Sequence, residues 1–281
     1  MVRAEVGQME NDDGDPPNEE EQLQKPVPSA TSIDFIDRWL SIRMAKKGKH
    51  VLLICTEKRD SFNDIIEELQ EIVRSHYVAP ETTIKRLEEL GAPQTAKLLR
   101  EHLPTTKTAR SGDLGEILAT EFTERKIGFI VPVRRLRWKD GRNMALRGDD
   151  IVAIARDPKG RLKFLKGESK SRARLNSNVV KEAAVALDRD YGRPDRFSVL
   201  FVAEHLTDQE KDSLAIDLDK AVLNSFRWNS VDHLLFTLSG NDPNKLLSDH
   251  LRKCTNNVRR HAVGVCINDH GKFVHRLFSE L

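Results

Sequence analysis

Gly148-Asp-Asp-Ile-Val-Ala-Ile-Ala-Arg156, then Asp157-Pro-Lys-Gly160, then Arg161-Leu-Lys-Phe-Leu-Lys-Gly-Glu-Ser-Lys170 is the stretch on which the fold turns. Ile151–Ala155 and Leu162–Leu165 are apolar runs of strand length, and Lys159-Gly160 after Asp157-Pro158 supplies a hairpin turn between them. Side chains alternate along a strand, so Glu168 and Lys170 share one face and Ser169 takes the other. In an antiparallel hairpin the start of the first strand lies beside the end of the second. Asp150, or Asp149 on the opposite face, is thereby brought beside Glu168, giving two carboxylates and an ammonium at one sheet edge.

Outward from this hairpin, a helix from Ser111 to about Arg125 and a strand at Phe129–Val133 come before it. A helix from Ser177 to about Asp190 and an apolar strand at Ser198–Ala203 come after. The order is α-β-β-β-α-β. Beyond it, residues 208–226 and 243–256 read as helical and Leu234–Leu238 as extended. Ala262–Ile267 and Phe273–Leu277 read as a pair of strands around Asp269-His270-Gly271. The expected class is α/β with a mixed sheet.

Residues 31–108 read as a mainly helical N-terminal region. They hold a short helix around Phe35–Ile42 capped by Ser32 or Asp34, a buried strand His50–Cys55, and an amphipathic helix behind Ser61. A helix pair broken at Gly91 and Pro93 completes them. Nothing there has catalytic spacing, and packing or partner docking is the expected role. Residues 1–30 are acidic: up to position 28 there are eight acids against Arg3 and Lys25, with almost nothing large and apolar. Such a segment cannot bury enough surface to offset its ordering entropy and reads as a disordered tail. The domain boundaries are therefore 1–30, 31–108 and 109–281.

The whole chain has 281 residues, 38% of them hydrophobic and 32% charged, and no apolar run near the roughly 18 residues of a membrane span. The first ten residues lack the basic and apolar regions of a secretory signal. Cys55, Cys254 and Cys266 are an odd number without zinc-ligand spacing, and a reducing cytoplasm is the expected location. The formal net charge of +2 is a cancellation: residues 125–174 carry 16 basic residues and five acids, and three of those five are Asp149, Asp150 and Glu168. A basic surface around clustered carboxylates suits an enzyme that acts on a polyanion, because phosphate contacts supply most non-specific affinity. Arg134, Arg135, Arg137, Lys139, Arg142, Arg147 and Arg172 are the expected nucleic-acid contacts, with Trp138 either stacking on a base or capping the core.

An acid two residues before a lysine is weak evidence alone: it occurs three times, at Glu124, Asp157 and Glu168, about as often as chance gives. The first falls at a helix end and the second in a turn. Only Glu168-Ser-Lys170 has a second carboxylate brought beside it. Two carboxylates with open positions suit a hard divalent cation such as Mg²⁺ (or Mn²⁺), which prefers oxygen ligands and retains waters. Such an ion lowers the pKa of a bound water and polarises a phosphate, and Lys170 can position that water. An ordinary strand-end ion pair is the competing reading.

Glu116 lies off the apolar stripe of its helix, beside the small residues Gly112, Gly115 and Ala119, which would let the helix approach the sheet edge closely. A solvated helix glutamate is equally compatible. The sequence has no G-x-x-x-x-G-K-[ST], G-x-S-x-G or H-E-x-x-H, so any ATP-driven step belongs to another protein.

Gly112-Asp-Leu-Gly-Glu116, Asn143-Met-Ala-Leu-Arg-Gly148-Asp-Asp150 and Gly167-Glu-Ser-Lys170, in that order, resemble the HamA C-terminal-like domain family, the nuclease subunit of the Hachiman anti-phage defence system. That family is similar to the PD-(D/E)xK nucleases, which include many restriction enzymes. The resemblance covers about Ala109 to the C-terminus and implies a restriction-endonuclease-like core in residues 109–281. It implies Asp150 as the strand acid, within one residue because of the Asp149-Asp150 doublet. Glu168 is then the second metal ligand, Lys170 the catalytic lysine and Glu116 the helix carboxylate. It also implies DNA as substrate and a superfamily 2 helicase, HamB, as partner. The expected function is a Mg²⁺-dependent endonuclease acting in a bacterial anti-phage complex. The alternatives are a non-catalytic nucleic-acid-binding subunit and an RNA-cleaving toxin using the same residues.

Overall fold

In the computed structural model, which describes residues 34–224, 231–255, 257–279 and 281, the polypeptide is organised around one six-stranded mixed sheet. The acidic tail at 1–30 lies outside the described residues. The chain opens with α1 (Phe35–Trp39), capped by the Asp34 carboxylate, which accepts from the Ile36 amide. There follow the hairpin β1 (Leu40–Lys47) and β2 (His50–Glu57), α2 (Phe62–Tyr77), α3 (Pro80–Leu90), α4 (Ala92–His102) and the long helix α5 (Lys107–Phe122). Next come β3 (Ile151–Arg156), β4 (Leu162–Arg172), α6 (Ser177–Asp188), α7 (Arg196–Thr207) and α8 (Asp212–Leu223). The chain closes with β5 (Val231–Ser239), α9 (Asn244–Lys253), β6 (Arg259–Cys266) and α10 (His270–Ser279).

The strand order is β1-β2-β6-β5-β4-β3. The four central strands β2, β6, β5 and β4 run parallel, and the edge strands β1 and β3 are antiparallel to their neighbours. Parallel strands need both faces covered. Val51, Leu53, Leu165, Phe236 and Val263 meet α1, α2, α5 and α10 on one face, while Leu52, Ile54, Leu235 and Ala262 meet α6 and α9 on the other. Residues 33–281 form one compact unit, and its sheet takes strands from both sides of position 108. No helix among the described residues is long and apolar enough to cross a membrane.

Several elements differ from the sequence reading. Ser198–Ala203 is not a strand but the middle of α7. Asp195 caps this helix by accepting from the Ser198 amide, and Val199, Val202, Ala203 and Leu206 are buried at helical spacing. A six-residue apolar run does not distinguish the two states, and the twelve-residue length of the element decides for helix. The strand that follows α6 is instead β5, reached after α7 and α8. Phe273–Leu277 is likewise helical, in α10, with Phe273, Val274, Leu277 and Phe278 turned inward together. Phe129–Val133 makes only a single bridge, Ile130 to Ile154, at the sheet edge. Ser61 does not cap α2 with its side chain: its hydroxyl donates to the Trp39 and Lys58 carbonyls.

Candidate active site

The β3–β4 hairpin has the register expected of it. Ile151 pairs with Gly167, which sets Asp150 opposite Glu168. β4 runs past its expected end, to Arg172, so Glu168 and Lys170 lie within a paired strand beside β5. Ser169 and Ser171 face α5, and alternation gives Glu168 and Lys170 the other face. Lys170 and Glu168 form an ion pair with their side chains 21% and 13% exposed, so the pair is accessible from solvent.

Asp150 accepts a 2.8 Å hydrogen bond from the Ser169 amide. Burial, and after it the Glu168 carboxylate, push Asp150 up to about 7 against the pull of that amide, Lys170 and Arg135. Asp149 has different partners. Its carboxylate accepts from the Asp195 amide at 2.6 Å and faces the buried Lys166 ammonium at 3.3 Å. The doublet is thereby divided between a residue at the carboxylate cluster and one that ties the hairpin to α7. Gly148 makes the preceding turn with φ at +91°, and a Cβ there would lie 2.3 Å from the Ser198 hydroxyl, so only glycine fits.

Glu116 reaches this edge because α5 packs almost directly on β4. A Cβ added at Gly115 would stand 2.8 Å from Ser169 Oγ and 3.1 Å from Ser171 Cβ. Glu116 and Asp150 line one small cavity. Burial, and then the Asp150 and Asp113 carboxylates, raise Glu116 well above the ordinary carboxylate range. Asp150 is therefore the link, within electrostatic reach of Glu116 on one side and Glu168 on the other. Among the described residues no group of three or more His, Cys, Asp or Glu side chains is placed to hold a metal ion together. The donor set is the carboxylate pair of Asp150 and Glu168 at a sheet edge, with Glu116 within electrostatic reach of Asp150. It suits a cation that keeps most of its waters, since like charges crowded and desolvated together are relieved by a positive ion.

The basic residues divide into two groups. Arg134 pairs with Glu124 at 2.5 Å, Arg137 donates twice to the Ser75 carbonyl at 3.0 and 2.8 Å, and Lys139 spans both oxygens of Asp113. Arg135 binds the Asp149 and Arg147 carbonyls and lies over the Phe201 ring, so it clamps the turn that presents Asp150. That clamp had no signal in the sequence beyond one arginine among many. Arg142 faces Glu101 at 3.4 Å on the surface, and Arg147 and Arg172 are solvent-exposed. Trp138 stacks on His205 at 4.1 Å and meets Phe201 edge-on, which is a packing role.

The fold and this edge define a mixed α/β protein whose outer hairpin presents a carboxylate pair and a lysine, with a third carboxylate from the helix beneath. The model of the HamA family matches residues 33–281, and the chain belongs to that family. A similar protein is the Hachiman protein HamA of Bacillus cereus, 31% identical over 111 residues. The matched stretch covers 40% of this chain and 38% of that protein.

Proposed function

We propose that the chain is a divalent-metal-dependent endonuclease of the PD-(D/E)xK type, cleaving DNA as the effector of an anti-phage defence complex with a HamB-like helicase. The observation that carries this reading is the register that sets Asp150 opposite Glu168, with Lys170 two residues further along the same strand. In this reading Asp150 and Glu168 hold Mg²⁺ or Mn²⁺ and Glu116 supports the ion through its neighbour Asp150. When bound, the ion supplies an acidified water and polarises the scissile phosphate. Lys170 orients that water and offsets charge developing on the phosphate. Arg147, solvent-exposed ahead of β3, contacts the polyanion, and phosphate contacts of this kind weaken with salt.

A second reading has support of its own. The Lys170–Glu168 ion pair is what a non-catalytic nucleic-acid-binding subunit would show. One experiment separates the two. The purified chain, with and without the helicase, is incubated with plasmid DNA and in parallel with RNA, in Mg²⁺ or EDTA. Metal-dependent cleavage that is lost in Glu168→Ala and in Lys170→Ala supports the nuclease, and the nucleic acid that is cut identifies the substrate. Cleavage that survives both substitutions rejects the site. Salt-sensitive binding with no cleavage under any condition supports the non-catalytic subunit.

A further inference from the structure

A second cavity lies away from the carboxylate edge. It has about 980 Å³ and lies at the carboxyl ends of the parallel strands, where Glu57 ends β2, Ser171 and Arg172 end β4, and Asn268 follows β6. None of Glu116, Asp150, Glu168 or Lys170 lines it. Its volume is that of a site for a small organic ligand, and the carboxyl ends of parallel strands are where α/β proteins place such ligands.

Three features of the lining specify the chemistry. The first is charge: Lys107, Arg110, Arg172 and Arg276 line it, together with Lys272, which pairs with Asp269 at 2.8 Å, and Glu57 supplies a carboxylate. That carboxylate already accepts from the Asn268 amide at 2.9 Å and the Trp39 indole at 3.4 Å. Arg110 and Arg172 bind backbone carbonyls, of Pro104 and Ser171, and form no ion pair with a carboxylate among the described residues. The second is a chain of hydroxyls and imidazole. Ser111 Oγ lies 2.9 Å from Ser171 Oγ, which lies 2.8 Å from His270 Nε2, so donors and acceptors are fixed at the base of the cavity. The third is an aromatic wall made by the partly buried Phe62 ring, backed at 4.7 Å by the buried Phe273 ring, with the Arg276 guanidinium 5.0 Å from the Phe62 centroid. α5 and α10 also begin here, their first turns capped by Thr106 and Asp269.

Cations with hydroxyl partners select a phosphate, and an aromatic wall beside them selects a flat ring attached to it. Inorganic phosphate would leave the wall uncovered, and an uncharged nucleoside would leave Lys107, Arg110 and Arg172 without a counter-charge. We propose that this cavity binds a nucleoside phosphate, either a free mononucleotide or the 5′-phosphorylated end of a nucleic-acid strand. The proposal stands whether or not the carboxylate edge cuts DNA, because the two share no residue.

The test is calorimetric titration of the full chain with AMP, adenosine and inorganic phosphate, and with a tetranucleotide carrying a 5′-phosphate or a 5′-hydroxyl. One AMP or one 5′-phosphorylated strand should bind per chain. Adenosine, inorganic phosphate and the 5′-hydroxyl strand should each bind about tenfold more weakly or worse, since each lacks half of the recognised chemistry. Tighter binding of AMP than of the phosphorylated strand identifies a free nucleotide as the ligand, and the reverse order identifies a strand end. Lys107→Glu combined with Arg172→Glu, both exposed positions, should lower the affinity about tenfold or more at an unchanged Tm, while Lys159→Glu, exposed and outside the cavity, should not. No saturable binding of either phosphorylated ligand overturns the proposal. So does equal binding of adenosine or phosphate alone, or an affinity unaffected by the double charge reversal.

Discussion

Asp150 accepts a 2.8 Å hydrogen bond from the backbone amide of Ser169, the residue between Glu168 and Lys170. One carboxylate oxygen thus locks the head of β3 to the middle of β4, and the remaining acceptor sites of Asp150 stay available at the cluster. The bond makes the site a property of the hairpin rather than of a loop.

Asp149 and Asp150 should fail in opposite ways. Asp150→Asn keeps an acceptor for the Ser169 amide, so its Tm should stay near the wild-type value while cleavage falls about 100-fold or more through loss of the metal-binding charge. Asp149→Asn leaves the Lys166 ammonium, 3% exposed, without its counter-charge and should cost about 3 kcal/mol of stability. Thermal unfolding and cleavage measured on both variants check this. A Tm loss in the first with none in the second would contradict the division of roles.

Gly115 sets how closely α5 approaches β4, because a Cβ there would stand 2.8 Å from Ser169 Oγ. Gly115→Ala should destabilise the protein by about 1–3 kcal/mol through overpacking. Ser169 Oγ is buried and has no hydrogen-bond partner among the described residues, so Ser169→Ala removes the obstruction without losing a bond. Denaturant unfolding of the two single variants and the double should show a coupling of the sign that makes the double less damaged than Gly115→Ala alone.

Acid stability should depend on Glu121, in the last turn of α5, where it meets His76, Arg125 and Arg134. Burial alone would raise its carboxyl, but the His76 hydrogen bond and the neighbouring positive charges outweigh burial and hold it at about 2. A carboxyl whose folded value lies below its unfolded value of about 4.3 adds stability above that pH and loses it as pH falls toward the folded value. Stability should therefore drop by about 2–3 kcal/mol more in the wild type than in Glu121→Gln between pH 4.5 and about 2. Denaturant titration at a series of pH values measures the difference, and parallel profiles for the two proteins would contradict it.

The hairpin and its carboxylates were legible because β alternation and a Pro-Lys-Gly turn constrain geometry locally: the register Ile151–Gly167 follows from the turn alone. Glu116 was legible through Gly115, a small residue where a helix must approach a strand closely. α7 was not, because Val199–Ala203 is apolar enough for either state and its identity rests on the Asp195 cap and on burial against β3. The partners of Arg134, Arg137 and Lys139 come from Glu124, Ser75 and Asp113, contacts that no short-range pattern encodes. Clustered positive charge in the sequence is therefore partly internal cross-linking rather than a phosphate-binding surface.

The most direct test of the metal-dependent nuclease is plasmid cleavage by the purified chain with its helicase in Mg²⁺, comparing wild type, Asp150→Asn and wild type in EDTA. The account predicts cleavage by the wild type only, with Asp150→Asn folded and inactive. Wild-type cleavage rates in Asp150→Asn, or cleavage undiminished by EDTA, would contradict it.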